Sequence, residues 1–116
     1  MKSSVLNVNK LIEKELDELQ GIDTVYIDVS KLTTIADGMW ITTGRSKRHT
    51  QAIAENLMEK LKENGMPALS MTGYDNGEWI LIDCGDYLVH VLLPAMRDFY
   101  RLEDLWQAAE QQKSHK

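Results

Sequence analysis

Three histidines, one cysteine, a pair of nearby carboxylates and a basic run are the residues of this chain that could do chemistry. His49, His90 and His115 are not spaced as an i, i+4 pair on a helix, so they lack a familiar metal pattern. His115 falls in a polar terminus. His90 sits in an apolar strand, where a hydrogen-bonded structural histidine is the expectation. The single Cys84 excludes an internal disulfide and a cysteine metal cage. It has no histidine at catalytic spacing and reads as a free surface thiol, not a nucleophile. No catalytic residue or metal site is therefore expected. The run Gly44-Arg45-Ser46-Lys47-Arg48-His49 is electrostatically odd, because helix N-termini favour anions over cations. Carboxylates such as Asp28, Asp37 or Asp83 could compensate it, or a bound anion could, since helix starts near Gly and Ser hold phosphate. A solvated or internally paired cluster and an anion site both stay open.

The elements that must position these residues follow from periodicity. Val8, Leu11, Ile12, Leu16 and Leu19 recur at helical spacing, with Gly21 where a C-terminal cap belongs. Residues 25–29 read as a buried strand, 30–37 as a Thr-rich connection and 39–43 as a second strand. Ser46 is the expected N-cap of a helix whose stripe is Ile53, Ala54, Leu57, Met58 and Leu61. Asn64-Gly65 and Pro67 end that helix. Short strands follow at 68–71, 79–83 and 86–93, the last stopped by Pro94. Phe99, Leu102, Leu105, Trp106 and Ala109 again approach helical spacing. The pattern predicts one α/β domain with a mixed sheet over residues 1–106, a right-handed crossover from Ile41 to Met71, and a polar tail over 107–116.

A two-residue Cys84-Gly85 turn would set Asp83 opposite Asp86 and Trp79 opposite His90. Alternation then puts Ile80, Ile82, Tyr87, Val89 and Val91 on a core face. Trp79, Leu81, Asp83, Asp86, Leu88 and His90 share the other. Either a helix covers that second face, or it is partly open and binds a partner through a Trp-centred patch with an acidic tip.

The chain has 116 residues, 43% hydrophobic and 27% charged, with a formal net charge of -5. An acidic chain is unsuited to wrapping nucleic acid, whose affinity comes from neutralising phosphates, but is suited to a basic protein partner. No apolar run reaches membrane-span length. The N-terminus lacks a signal-peptide core, so a cytoplasmic location is expected.

Two stretches carry a family signature: GRSKRH leading into TQAIAENL, and GEWILIDCGDYLVHVLLPAMRDFYRLEDLW from Gly77 to Trp106. In this order they resemble the bacterial ribosomal silencing factor, or Iojap-like, family, over about Asn7 to Trp106. The family pattern falls on Gly44, Ser46, Arg48 and His49, then on Trp79, Asp83, Gly85, Asp86, His90 and Val91, and finally on Arg97, Tyr100, Leu102, Glu103, Leu105 and Trp106. Thr50 and Trp40 depart from it at positions where aliphatic residues are common.

The resemblance implies a nucleotidyltransferase-like fold without its catalytic residues. An active member of that fold would carry two acids spaced by one on a strand to hold Mg²⁺. Asp83 and Asp86 do not fit that spacing. It further implies a non-enzymatic protein, without cofactor, that binds the large ribosomal subunit at its subunit-joining face. The anchor is a basic ribosomal protein, L-fourteen, and docking sterically blocks the small subunit and represses translation. Family members are also linked to large-subunit maturation, and many form homodimers. Trp79, Leu81, Asp83, Cys84, Asp86, Leu88 and His90 become the expected partner-binding residues, with little direct RNA contact. Gly44, Ser46, Arg48 and His49 become structural or anion-binding residues. A small-nucleotide-binding or transferring protein on the same fold is the alternative, and a plain homodimerisation module a third reading.

Overall fold

Three helices and five strands alternate along the chain in a computed structural model that describes residues 7–102 and 104. They are α1 (Val8–Glu18), β1 (Ile22–Asp28), β2 (Gly38–Thr43), α2 (Lys47–Glu63), β3 (Ser70–Thr72), β4 (Trp79–Asp83), β5 (Tyr87–Leu92) and α3 (Pro94–Tyr100). The strands form one mixed sheet in the order β1-β2-β5-β4-β3. Only the β2–β5 neighbours run parallel. β3 therefore runs in the sense of β2, but at the far edge, with β5 and β4 between them. Leu105, Trp106, Ala109 and the tail expected over 107–116 lie outside the described residues. Among the described residues, no helix is long and apolar enough to cross a membrane.

Local chemistry explains the helix ends. Asn7 caps α1 by accepting the Lys10 amide at 3.2 Å. The α1 terminus differs from expectation: Gln20, not Gly21, takes the left-handed conformation at φ 63°. The Gln20 amide bonds the Asp17 carbonyl and the Gly21 amide bonds the Leu16 carbonyl, closing a Schellman motif. Gly21 is needed for closeness instead, since a Cβ there would lie 2.3 Å from Thr42 Oγ1. The α2 helix ends in the same motif, this time with Gly65 at φ 75°.

The sheet separates two apolar clusters. On one face, Ile12 and Leu16 of α1 and Ile53, Leu57 and Leu61 of α2 pack against Trp40, Ile80, Ile82, Val89 and Val91. Trp40 Nε1 donates to Asn9 Oδ1 at 2.7 Å, which satisfies the polar end of a buried indole. On the opposite face, Ile27, Val29, Ala36, Met39, Ile41 and Leu92 form a smaller cluster, with Trp79, Leu88, Met96 and Leu102 packed on it. Two α-helices cover the first face. Among the described residues, the second has α3, none of whose side chains is buried, and the loop after β1.

The β4–β5 register corrects the expected turn. Asp83 stands opposite Leu88 and Trp79 opposite Leu92, with residues 84–86 forming the connection. Asp83 Oδ1 accepts the Gly85 amide at 2.9 Å, and the Cys84 amide bonds the Tyr87 carbonyl at 2.9 Å. The Asp86 carbonyl is drawn to β2, accepting the Asp37 amide at 2.7 Å and the Gly38 amide at 3.3 Å. Asp86 thus leaves the hairpin ladder. The slip is two residues, an even number, so every side chain keeps its face.

Candidate docking face

Alternation along β4 and β5 puts Trp79, Leu81, Asp83, Leu88 and His90 on the sheet face opposite α1 and α2. Across the strands, Ile41, His90 and Leu81 form one row, and Met39, Leu88 and Asp83 the next. Trp79, Leu81, Asp83 and Leu88 are half-buried, whereas His90 is only 7% exposed. The face is neither fully covered nor fully open.

An aromatic series leads outward from His90. Trp79 Nε1 donates to His90 Nδ1 at 3.0 Å. The Trp79 ring meets Tyr100 of α3 at 5.1 Å between centroids, and Tyr100 meets Phe99 edge-on at 4.9 Å. Phe99 is 77% exposed and Tyr100 51%. Ile35, in the loop after β1, is also exposed. Because Nδ1 accepts from the indole, the neutral ring carries its proton on Nε2. That nitrogen is buried with no hydrogen-bond partner among the described residues. Burial holds His90 well below the usual histidine range, down to about 4, so the ring is neutral near pH 7.

The tip residues divide. Asp86 is exposed and Asp83 half-buried. Cys84 packs against the helix-side cluster and is half-buried, not the surface thiol expected. Burial, then the neighbouring Asp83, pushes its thiol up to about 12, which rules out a reactive thiolate near neutral pH. Strand pairing sets Asp28 beside Gly38 and Gly38 beside Tyr87, so Asp28, Asp37, Asp83 and Asp86 share one end of the sheet. The Ser30 hydroxyl and amide hold the Asp28 carboxyl below its ordinary range, which keeps it charged.

The basic helix start lies at the other end, after Thr43. Asp28, Asp37 and Asp83 therefore do not compensate it, a correction to that expectation. Arg45, Lys47 and Arg48 are exposed, and Lys47 Nζ faces Glu78 at 4.0 Å. The rest of the motif has internal partners. A Cβ on Gly44 would lie 2.6 Å from Thr50 Cγ2 and 2.9 Å from Thr50 N, so glycine lets β2 meet the first turn of α2. Ser46 Oγ accepts the His49 amide at 3.2 Å. His49 Nδ1 accepts the Arg45 amide at 2.9 Å, which leaves Nε2 to donate to the Leu19 carbonyl at 2.9 Å. His49 thus ties the start of α2 to the end of α1. The Thr50 hydroxyl donates to the Gly77 carbonyl at 2.6 Å, anchoring the loop before β4. Among the described residues, no group of three or more His, Cys, Asp or Glu side chains is placed to hold a metal ion.

Sequence reasoning missed the Trp79–His90 hydrogen bond, which is diagonal and depends on the register. It also missed Phe99 and Tyr100 as parts of this surface. The aromatic pair five and six residues after Pro94 was the available signal.

Comparisons with known proteins agree on one family. A family model described as "Ribosomal silencing factor during starvation" matches residues 2–116. The ribosomal silencing factor of Chromobacterium violaceum is 41% identical over 102 residues, covering 88% of this chain and 84% of that protein. Its Bacillus subtilis counterpart is 33% identical over 100 residues, covering 86% and 85%. "Mitochondrial assembly of ribosomal large subunit protein 1" of Mus musculus is 32% identical over 87 residues, covering 72% of this chain and 38% of that protein. A crystal structure of a Chromobacterium violaceum protein superposes with a TM-score of 0.84 at 40% identity, covering 92% of this chain and 88% of that one.

Proposed function

The chain belongs to the ribosomal silencing factor family, and from that premise we propose that it docks on the large ribosomal subunit through the Trp79 face and blocks joining of the small subunit. The anchor is a basic ribosomal protein at the subunit-joining face, with little direct RNA contact, and the outcome is repressed translation in the cytoplasm. No chemistry is catalysed and no cofactor is needed. The name of the mouse relative, which ties that protein to assembly of the large subunit, supports the choice of subunit.

One observation carries the reading: a half-buried Trp79 stands on an incompletely covered sheet face that also carries Asp83, at whose end of the sheet Asp28, Asp37 and Asp86 gather. An apolar centre with charges at one rim is the arrangement that concentrates binding energy. The acidic rim favours a basic partner, and the net charge of -5 works the same way at longer range. A homodimer could use the same apolar face, in which case dimer and ribosome would compete.

Sedimentation with isolated subunits tests this. The protein is expected to travel with large subunits, not small ones, and to reduce the fraction of joined ribosomes. Absence of binding to large subunits would overturn the reading. In the same assay Trp79→Ala, checked for native fold, is expected to weaken binding by more than about 1 kcal/mol. Unchanged affinity would move the docking surface elsewhere. Replacing Asp83 and Asp86 together by lysine is expected to slow association. Stopped-flow rates of mutant and wild type should converge as salt is raised; a salt-independent gap would argue against electrostatic steering.

A further inference from the structure

The Nε2 atom of His90 has no hydrogen-bond partner among the described residues, although the residue is 93% buried. Native proteins satisfy nearly all such groups, and an orphaned buried donor costs free energy. The position sits in an apolar row between Ile41 and Leu81, where an aliphatic residue would carry no such penalty. Trp79 accounts for only half of the imidazole, because its indole needs an acceptor and finds Nδ1. Among the described residues, nothing uses the proton on Nε2.

Among the described residues, the cover on this face of the sheet is thin. The α3 helix contributes no buried side chain. Arg97 fixes its inner part by donating from Nη1 to Thr43 Oγ1 at 2.9 Å. Beyond Arg97, Phe99 and Tyr100 are exposed, and Arg101 ends the helix in the left-handed region at φ 47°. A shift of the Tyr100 end would expose the Trp79 ring, at the loss of the Trp79–Tyr100 contact and the packing of Leu102.

From these observations, and resting on the docking reading above, we infer that His90 is a specificity-determining residue: its Nε2–H donates to a carbonyl oxygen that the docked partner inserts beside Trp79 as Tyr100 gives way. A neutral acceptor suits the place, since a carboxylate brought into this buried apolar row would lose its hydration. The orphan donor then acts as a selector. A partner that brings a carbonyl satisfies it, and one that presents only apolar surface leaves it buried and unpaired.

Two substitutions separate the ring's two nitrogens. His90→Asn keeps an acceptor near the Nδ1 position, so the indole stays clamped, but its amide stops short of Nε2. His90→Gln reaches towards Nε2 with an amide donor. With isolated large subunits as the probe, His90→Asn is expected to lose at least tenfold in affinity while the Trp79 indole N–H resonance, assigned by its loss in Trp79→Phe, stays that of the wild type. His90→Gln is expected to bind within about threefold of wild type. Wild-type affinity in His90→Asn would overturn the inference and leave the docking face intact. Should His90→Asn not fold, His90→Gln decides alone: near-wild-type binding supports the donor role, and a tenfold loss in a native fold overturns it. Failure of the wild-type protein itself to bind would overturn the ribosome reading and this inference together.

Discussion

Gly73→Ala is expected to destabilise the protein by on the order of 3 kcal/mol and to displace Trp79. Two penalties coincide at this position. The backbone adopts φ 84°, a conformation L side chains rarely take. The added Cβ would also stand 2.1 Å from the Trp79 carbonyl oxygen and 3.2 Å from the Trp79 carbonyl carbon. These are main-chain atoms and cannot rotate away, so β4 must move at the residue that carries the docking indole. Gly85 supplies the control. Its φ of 89° is similar, but a Cβ there meets nothing within 4 Å. Gly85→Ala should therefore cost only the conformational part, roughly 1 kcal/mol. Urea unfolding of both variants measures the difference. Equal shifts in midpoint would show that the close approach to Trp79 contributes nothing.

Acid should reveal His90. Its folded-state pKa, about 4, lies below the ordinary value of 6.5, because burial disfavours the charged ring. A depressed value means that the unfolded chain takes up the proton first. The stabilising contribution is complete above pH 6.5 and is lost progressively as pH falls through 4. That gap corresponds to about 3 kcal/mol across the window. Protonation would also remove the Nδ1 lone pair that accepts from Trp79, so the indole clamp and the fold's stability should fall together. Denaturation curves for wild type and His90→Asn, taken at intervals from pH 7 to pH 4, isolate this effect because the carboxylates titrate in both proteins. The wild type should lose the extra stability; parallel profiles would refute burial of a neutral ring.

Much of the fold was legible because it is local. The Ile53, Ala54, Leu57 and Leu61 stripe, the Ser46 cap and the Asn64-Gly65 stop mark α2 without tertiary information. The alternation of Ile80, Ile82, Val89 and Val91 marks the core face of the hairpin, and survived a register error because the slip was even. What failed depended on distant partners. The Asp86 carbonyl leaves the hairpin because amides from the start of β2 claim it, and no rule confined to Cys84-Gly85 contains that contact. Gly21 looked like a helix cap, yet its small size answers to Thr42, which only the sheet brings near. The acidic residues near the tip were visible, but not that Asp28 and Asp37 join them at the end remote from Arg45 and Arg48. The Trp79–His90 bond and the unmatched Nε2–H were hidden for the same reason: both follow from which strands are neighbours.

The order of strands has a consequence for how the chain is made. β5 is last in the sequence but stands at the centre of the sheet, between β2 and β4. Until residues 87–92 have been synthesised, the β1–β2 hairpin and the β3–β4 pair share no hydrogen-bonded ladder. Two-stranded ribbons are marginal by themselves in water. The polypeptide therefore leaves its own ribosome with its two strand pairs not yet joined in one sheet, and the surface built across β4 and β5 comes into being only when the final strand threads between them.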